Sequence, residues 1–293
     1  MNRTFLFQRL IHLPRRIVRE FLMVAHLVQF FFTNRFGRTP ATSPGYPVVS
    51  LTTYGARSKK VYFAIESIAN GDVRPSRLIL WIDDELLFNN LPSTLRRLQR
   101  RGLEVMFCKN YGPHTKYYPY VESTETFDIP LVTADDDVLY PKYWLKKLVE
   151  ANREFPENVN CFWCHVIAID ENGIEKSHDW RQCDSTQPRS RHVAAGIAGV
   201  IYPPAFLMEL KRTGRAFETC CPKADDIWLH VQALRSGYKV RQIFPHLPYW
   251  SFRGIPGTQN TALCNYNVDG FGNDQQISAT YSDADVRKLR ADS

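Results

Sequence analysis

IPLVTADDDVLYP, residues 129–141, decides the fold, because a short apolar run leads directly into three consecutive acids. Residues 129–133 have the composition of a buried strand, and Asp135, Asp136 and Asp137 follow where that strand should end. Three adjacent carboxylates repel one another, so a fold gathers them only where positive charge compensates them. Mg²⁺ or Mn²⁺ can do so, because such ions bind through one or two carboxylates together with substrate phosphates.

The triplet also has two plainer explanations. It could be a solvated acidic turn, a common use of aspartate in loops. Alternatively, Asp137 could cap the helix predicted after Pro141. The residues of the triplet alone leave these alternatives open beside the metal site.

Outward from the triplet, apolar runs alternate with helical patterns along residues 47–244. This alternation predicts an α/β fold with a mostly parallel sheet flanked by helices. Ligands collect at the carboxyl ends of the strands in such sheets. The pairs Thr52-Thr53 and Asp83-Asp84 and the acidic triplet each follow a predicted strand, which predicts a binding site there. The predicted strands are 48–51, 78–82, 103–107, 129–133, 161–169 and 238–244, and the predicted helices are 60–70, 92–101, 143–155, 205–212 and 225–236.

The charge of the chain is concentrated at its beginning. The formal net charge is +7, yet seven arginines fall in residues 1–38, where Glu20 is the only acid. The remainder is nearly neutral and contains no recognisable nucleic-acid module, so we expect an anionic partner that is not nucleic acid. Residues 21–32 are almost wholly apolar, but twelve helical residues rise only about 18 Å, too little to span a bilayer.

Residues 1–38 are therefore predicted to form a basic amphipathic helical arm that lies on an anionic membrane surface. The alternative is a helix packed on the domain or on a second subunit. Residues 39–46 read as a linker, and residues 47–293 as one domain. Within it we expect a donor half at about 47–141, an acceptor half at about 142–260 and a tail at 261–293.

The seven cysteines are odd in number, and their spacing indicates no disulfide framework. We therefore expect reduced thiols and a cytoplasmic protein, peripheral on the inner face of the cell membrane. Residues 161–165, CFWCH, match the haem c attachment pattern. They lie in an apolar run rich in strand formers, however, so the pattern favours a buried strand over a haem or metal site.

Residues 133–141 resemble the DxD region of GT-A glycosyltransferases, especially the family 2-like bacterial enzymes. Further segments resemble that family in the same order, over about residues 48–244. They are the first strand and donor loop (51–54, with Arg57), the second strand (80–83), a "GPxTK" segment (112–116), a glycine-containing acceptor-side segment (196–202) and the "DD" motif that opens an acceptor-side helix (225–229).

This resemblance implies a GT-A-like fold that transfers a sugar from a nucleoside diphosphate sugar to a glycan or lipid-linked acceptor. It would serve cell-surface polysaccharide or glycolipid synthesis. Mn²⁺ or Mg²⁺ would be held by Asp135, Asp137 and His246. The residues implied to contact the nucleotide sugar are Thr52, Thr53, Tyr54, Arg57, Asp83, Lys116, Asp135 and Asp136.

The resemblance also implies a catalytic base, Asp226, which would deprotonate the acceptor and give inversion at the anomeric carbon. The plainer explanation of Asp225-Asp226 is an N-cap pair. Arg57, Lys116 and Arg253 are candidates to neutralise the diphosphate. Two rival functions stay open: a sugar-nucleotide nucleotidyltransferase, although the loop at 52–57 has a single glycine, and a non-catalytic protein that binds a glycan or a partner.

Overall fold

The computed structural model describes residues 3–247, 252–258 and 272–292. The strands are β1 (Val48–Thr52), β2 (Arg77–Ile82), β3 (Leu103–Phe107), β4 (Leu131–Thr133), β5 (Val138–Leu139), β6 (Asn158–Cys161), β7 (Cys164–Val166), β8 (Ile169–Asp170), β9 (Gly173–Ile174), β10 (Arg181–Gln182), β11 (His192–Ala194), β12 (Val200–Tyr202), β13 (Lys239–Gln242) and β14 (Arg253–Gly254). The main helices are α1 (Arg3–Phe36), α2 (Val61–Ala69), α3 (Glu85–Asn89), α4 (Ser93–Gln99), α5 (Tyr118–Ser123), α6 (Trp144–Glu154), α7 (Pro204–Thr213), α8 (Phe217–Cys220) and α9 (Asp225–Arg235), followed by Gly272–Thr280 and Asp283–Ala291.

A seven-stranded sheet forms the centre, in the order β13-β6-β12-β4-β1-β2-β3. Its strands pair in parallel except β12, which is antiparallel to both β4 and β6. Because β12 is reversed, its first residue, Val200, pairs with Thr133, the last residue of β4. The loop before β12 therefore lies at the same edge of the sheet as the acidic triplet. The prediction of a mostly parallel α/β sheet flanked by helices is confirmed.

Helices cover both faces of the sheet, as the side-chain alternation of the strands requires. Val49 and Leu51 of β1 join the apolar cluster beneath α2, α4 and α6. Val48 points to the opposite cluster, which contains side chains of α5, α7 and α9. Burial on both faces explains why these strands read as continuous apolar runs.

The predicted strand at 161–169 is wrong as a single element. The chain leaves β6 after Cys161 and enters β7 at Cys164, which belongs to a separate three-stranded sheet, β10-β7-β11. Phe162 is fully buried in the turn and packs edge-on against Phe252. The strand therefore ends where Phe162 turns into the core, although the apolar sequence continues beyond it.

Helix α1 is fixed to the domain by its last turns. Phe30 is buried, and the buried side-chain amide of Asn34 donates to Glu66 Oε1 at 3.0 Å. Arg101 forms an ion pair of 2.7 Å with the same carboxylate. The last turns of α1 therefore pack on the domain, which was the alternative to membrane binding for this arm.

The flanking segments are also attached. In the segment predicted as a linker, the backbone amide of Ala41 donates to the carbonyl of Arg101 at 2.7 Å. The two C-terminal helices pack on α9, where Arg235 pairs with Asp285 at 2.8 Å. Within the described residues, no helix is both long and apolar enough to cross a membrane.

Candidate active site

The loop after β1 carries the first group of predicted site residues. A short 3-10 helix, Gly55–Lys59, turns Arg57 back toward the acidic triplet. Arg57 Nη1 lies 2.9 Å from Asp136 Oδ1, and Arg57 Nη2 lies 3.0 Å from Asp137 Oδ2. The hydroxyl of Thr53 donates to the other oxygen of Asp136 at 2.6 Å. The donor loop and two members of the triplet thus form one buried, charge-compensated unit.

The GPHTK segment holds Lys116 at the centre of the site. Its 3-10 turn, Gly112–Lys116, is fixed by buried His114, whose Nε2 lies 2.7 Å from the carbonyl of Cys221. Lys116 Nζ lies 3.0 Å from Asp135 Oδ1 and 3.3 Å from Asp225 Oδ2. Burial lowers the pKa of Lys116, but the surrounding carboxylates outweigh it and raise that pKa well above its usual range. Lys116 is thus a permanent cation shared by both acidic motifs.

Asp226 lies near this lysine, in the first turn of α9. Its carboxylate accepts from the backbone amide of Gly196 at 3.2 Å and 3.3 Å, and it is partly exposed whereas Asp225 is buried. The cap of α9 is Ala224, with no side-chain capping bond, so the N-cap explanation of the pair is wrong. Both acids instead occupy the first turn, where the helix dipole favours negative charge.

Two carboxyl groups of the site titrate near neutrality. Burial, reinforced by the charge of Asp225, raises the pKa of Asp226 to about 7, against the opposing effects of Lys116 and the Gly196 amide. Burial and the charge of Asp135 raise the pKa of Asp137 to about 6, although Arg57 lowers it. A carboxyl with a pKa near 7 has the basicity that suits proton abstraction at physiological pH.

The remaining donor-side residues occupy the same edge of the sheet. Thr52 donates from its hydroxyl to the carbonyl of Trp81 at 3.1 Å, which joins the ends of β1 and β2. Asp83 follows β2, and burial raises its pKa. The ring of Tyr54 is 40% exposed and stacks against the Arg57 guanidinium, 5.3 Å from centroid to Cζ. Thr52 and Tyr54 lie at the end of β1, which is next to β4 in the sheet, and Asp83 follows β2, the strand beyond β1.

Asp135 and Asp137 offer the carboxylate oxygens that Mg²⁺ and Mn²⁺ prefer, and the charge of Asp135 acts on Asp137. In the described part of the chain, however, the acids of the triplet do not provide three ligand atoms within 4.8 Å of one another. Arg57 and Lys116 already provide part of the positive charge that we expected a metal ion to bring to the triplet. The turn at Asp137 caps no helix, because α6 begins at a cap, Tyr143, without a side-chain bond.

His246 is not brought together with the triplet. It is exposed, and its charge acts on Asp184, which is also exposed. Among the described residues, the ligand atoms of His246, Asp135 and Asp137 do not form a group within 4.8 Å of one another. Its role as a metal ligand stays a prediction that this arrangement does not favour.

Gly196 is a site residue that the sequence identified only as part of a segment. A Cβ at this position would lie 3.1 Å from Asp226 Oδ1 and 3.3 Å from Lys116 Nζ. Three residues on, Gly199 has φ +92°, and a Cβ there would lie 2.5 Å from the Trp144 indole nitrogen. The loop can approach the charged cluster this closely because both positions lack side chains.

Comparison with known proteins adds little. No protein-family model and no curated protein matches this chain. Among the solved structures that match is a CMP:2-keto-3-deoxy-manno-octonic acid synthetase in complex with CTP. It shares 10% identity at a TM-score of 0.41, with 67% of this chain and 88% of that chain covered. A similarity this distant carries no argument about activity.

Proposed function

We propose that this chain is a metal-dependent glycosyltransferase that moves a sugar from a nucleoside diphosphate sugar to a hydroxyl of a glycan or lipid-linked acceptor. The observation that carries the proposal is the position of Lys116 between Asp135 and Asp225. Lys116 joins the acidic triplet, where the metal and the diphosphate would bind, to the carboxylates of Asp225 and Asp226 on α9. This arrangement supports a base and a leaving-group site on two sides of Lys116.

Asp226 serves as the base in the proposed reaction. Its carboxylate takes the proton of the acceptor hydroxyl while the hydroxyl oxygen forms a bond to the anomeric carbon. The bond from that carbon to the diphosphate breaks, and its electron pair leaves with the nucleoside diphosphate. Direct displacement of this kind inverts the anomeric configuration. The Gly196 amide holds the carboxylate in place throughout.

The donor side supports the leaving group. Asp135 and Asp137 would hold a Mg²⁺ or Mn²⁺ ion, which would supply positive charge to the departing diphosphate. Arg57 favours the ionised forms of Asp136 and Asp137 against the effect of their burial, and Thr53 orients Asp136. Thr52, Tyr54 and Asp83 lie where the nucleoside of the donor would sit, at the carboxyl ends of β1 and β2.

A sugar-nucleotide nucleotidyltransferase is the second candidate. The synthetase named above accords better with this activity than with glycosyl transfer, but at its TM-score it decides neither. The two reactions release different products. Nucleoside diphosphate sugars with Mn²⁺ should yield a free nucleoside diphosphate if the chain is a glycosyltransferase. Release of pyrophosphate from a nucleoside triphosphate and a sugar substrate would instead establish the second candidate, and neither product would indicate a non-catalytic protein.

Metal dependence is a direct prediction of the donor site. We expect EDTA to abolish transfer and Mn²⁺ or Mg²⁺ to restore it, because the diphosphate then regains its counter-charge. Asp137→Ala should lose donor binding while remaining folded, since Arg57 keeps its ion pair with Asp136. The matched control is Asp128→Ala, an exposed acid just ahead of β4. Full activity in the presence of EDTA would show that no metal ion is needed for the reaction.

The arm supports a second part of the proposal, association with an anionic membrane. Opposite the face that packs on the domain, α1 exposes a row of large apolar side chains. They are Phe21, Leu22, Val24, Val28, Phe31, Phe32 and Phe36. A soluble surface rarely carries such a continuous apolar strip, and a lipid interface buries it.

A cationic pocket adjoins this strip and supports anionic lipid as the proposed occupant. Its volume is about 380 Å³, and its lining is Asn34, Arg35, Phe36, Gly37, Arg38, Arg97, Arg100 and Arg101. Burial and the charges of Arg35 and Arg100 lower the pKa of Arg97, which indicates crowded cations. A lipid phosphate in this pocket would neutralise them while the neighbouring phenylalanines insert.

Vesicle binding tests this association. We expect Arg97→Gln/Arg100→Gln to weaken binding to phosphatidylglycerol vesicles by roughly 30-fold, at about 1 kcal/mol for each arginine near the surface. Arg181→Gln/Arg212→Gln removes the same charge from exposed sites elsewhere and should change binding little. Phe31→Ser/Phe32→Ser should also weaken binding. Unchanged cosedimentation of both the arginine-pocket and phenylalanine variants would exclude the arm as the membrane contact.

A further inference from the structure

A cluster of soft ligands lies outside the candidate active site, where β7, β11 and the loop between β10 and β11 meet. The thiols of Cys164 and Cys183 and the imidazole of His192 are all buried, and their ligand atoms lie within 4.8 Å of one another. Cys183 Sγ lies 3.5 Å from His192 Nε2. Two ligands of a tetrahedral Zn²⁺ are separated by about 3.6 Å, given its usual bond lengths to sulfur and nitrogen.

The tautomer of His192 directs a lone pair into the cluster. Its Nδ1 lies 3.2 Å from the carbonyl oxygen of Val240, which can only accept a hydrogen bond. The imidazole proton therefore resides on Nδ1, and Nε2 faces Cys183 as an acceptor. Histidine ligands of zinc are typically oriented by such a bond from the second ring nitrogen to a carbonyl.

The backbone around the two thiols is rigid. Buried Gln242 accepts from the amide of Cys164 at 2.9 Å and donates to the carbonyl of Cys183 at 3.0 Å. The amide of Cys183 also donates to the carbonyl of Cys164 at 2.9 Å. These bonds hold the cysteines in fixed positions, as a preformed ligand set requires.

The geometry points to a Zn²⁺ site formed by Cys164, Cys183 and His192, whose ligand atoms are already gathered. Three protein ligands leave the fourth tetrahedral position to a water molecule or another small ligand. The donor set contains sulfur and imidazole and no carboxylate, so it selects zinc over the Mg²⁺ or Mn²⁺ of the acidic triplet. Binding converts the thiols to thiolates, with one proton released from each to solvent.

This site lies beside the acceptor-side loop and bears on its position. His192 begins β11, and Ala195 after it donates from its amide to the carbonyl of Trp163 at 2.8 Å. The next residue, Gly196, contacts Asp226 through its own amide. A metal that fixes β7 and β11 therefore fixes the segment that orients the base. His165 of the CFWCH pattern lies outside the cluster, with its ring 5.4 Å from that of Trp163.

Metal analysis of the purified full-length chain tests the site. We expect about one equivalent of zinc, retained in Cys220→Ser, a free cysteine outside the cluster, and lost in Cys164→Ser and Cys183→Ser. Removal of zinc should lower the melting temperature, and Mn²⁺ should not restore it.

Cobalt substitution tests the site on the wild-type chain, so the result does not depend on whether the cysteine variants fold. Co²⁺ bound to the wild type should show the intense sulfur-to-metal charge-transfer bands of a tetrahedral thiolate site, with intensity for two thiolates. Intensity for a single thiolate would remove one of the two cysteines and overturn the proposed ligand set. A wild-type chain purified under reducing conditions without zinc, and giving no thiolate bands with Co²⁺, would overturn the site altogether.

Discussion

Asp226→Asn should lower the rate of glycosyl transfer by roughly two to four orders of magnitude, while the affinity for the donor is retained. The substitution preserves the shape of the side chain and can accept from the Gly196 amide, but it removes the basic oxygen. Capping cannot account for a loss, because α9 has no side-chain cap at its start. Steady-state kinetics with donor binding measured separately will distinguish the two effects.

The same residue sets the pH dependence. Only ionised Asp226 can accept a proton, so wild-type activity should rise through about pH 7 and be lost below it. Asp226→Asn should lose this limb of the profile. Asp184→Asn, at a highly exposed carboxylate, is the matched control and should keep both rate and profile. Near-normal transfer by Asp226→Asn with a bound donor would assign the base to Asp225 or to another element.

Lys116→Met should cause the largest loss of stability. Lys116 is nearly buried among three carboxylates, so its removal leaves Asp135, Asp225 and Asp226 without their shared cation. Breaking a buried ion pair by removing one partner costs about 3–5 kcal/mol. Urea unfolding should show this loss at pH 8, and a smaller one at pH 5, where protonation of Asp226, whose pKa is raised to about 7, relieves its repulsion with the other two carboxylates.

Lys109→Met is the matched control for that substitution. Lys109 also forms an ion pair of 3.0 Å, with Glu218, but the two side chains are 58% and 40% exposed. Exposed pairs of this kind contribute about 0–1 kcal/mol. Equal losses of unfolding free energy in the two variants would show that Lys116 is not the cation on which the cluster depends.

The sequence was informative about the fold where strands are long and buried on both faces. Residues 78–82 match β2 closely because they form a sustained apolar run whose side chains are buried on both faces. Residues 103–107 match the bounds of β3, although this strand at the edge of the sheet contains Glu104 and leaves Met106 and Phe107 exposed. The three-residue β12 carries no such pattern and was recognised only as part of a glycine-containing segment. The break between β6 and β7 was missed because Phe162 is apolar whether it lies in a strand or in a turn.

The candidate site was predictable to the level of residues but not of contacts. The segments that contain Arg57 and Lys116 were identified, yet both were expected to face the diphosphate. The structure pairs them with the acidic triplet instead, because buried carboxylates need cations even before a ligand arrives. The sequence identified the segment that contains Gly196 but not the role of its amide, because nearly every residue has a backbone N–H and its partner depends on the fold. Cys164, Cys183 and His192 meet only through the pairing of short strands.

The reversed direction of β12 has a consequence for how the protein is made. Arg57 and Lys116, the cations that pair with the triplet in the described part of the chain, precede it in the sequence, so residues 47–141 carry these counterions as they emerge from the ribosome. Asp226 follows the triplet by about 90 residues, a delay of roughly 5–20 s at usual rates of synthesis. Because β12 runs antiparallel to β4, the Gly196 loop that contacts Asp226 reaches the edge of the triplet only when this later strand has joined the sheet. The proposed base is therefore synthesised after residues 47–141, whose acids already have their cations.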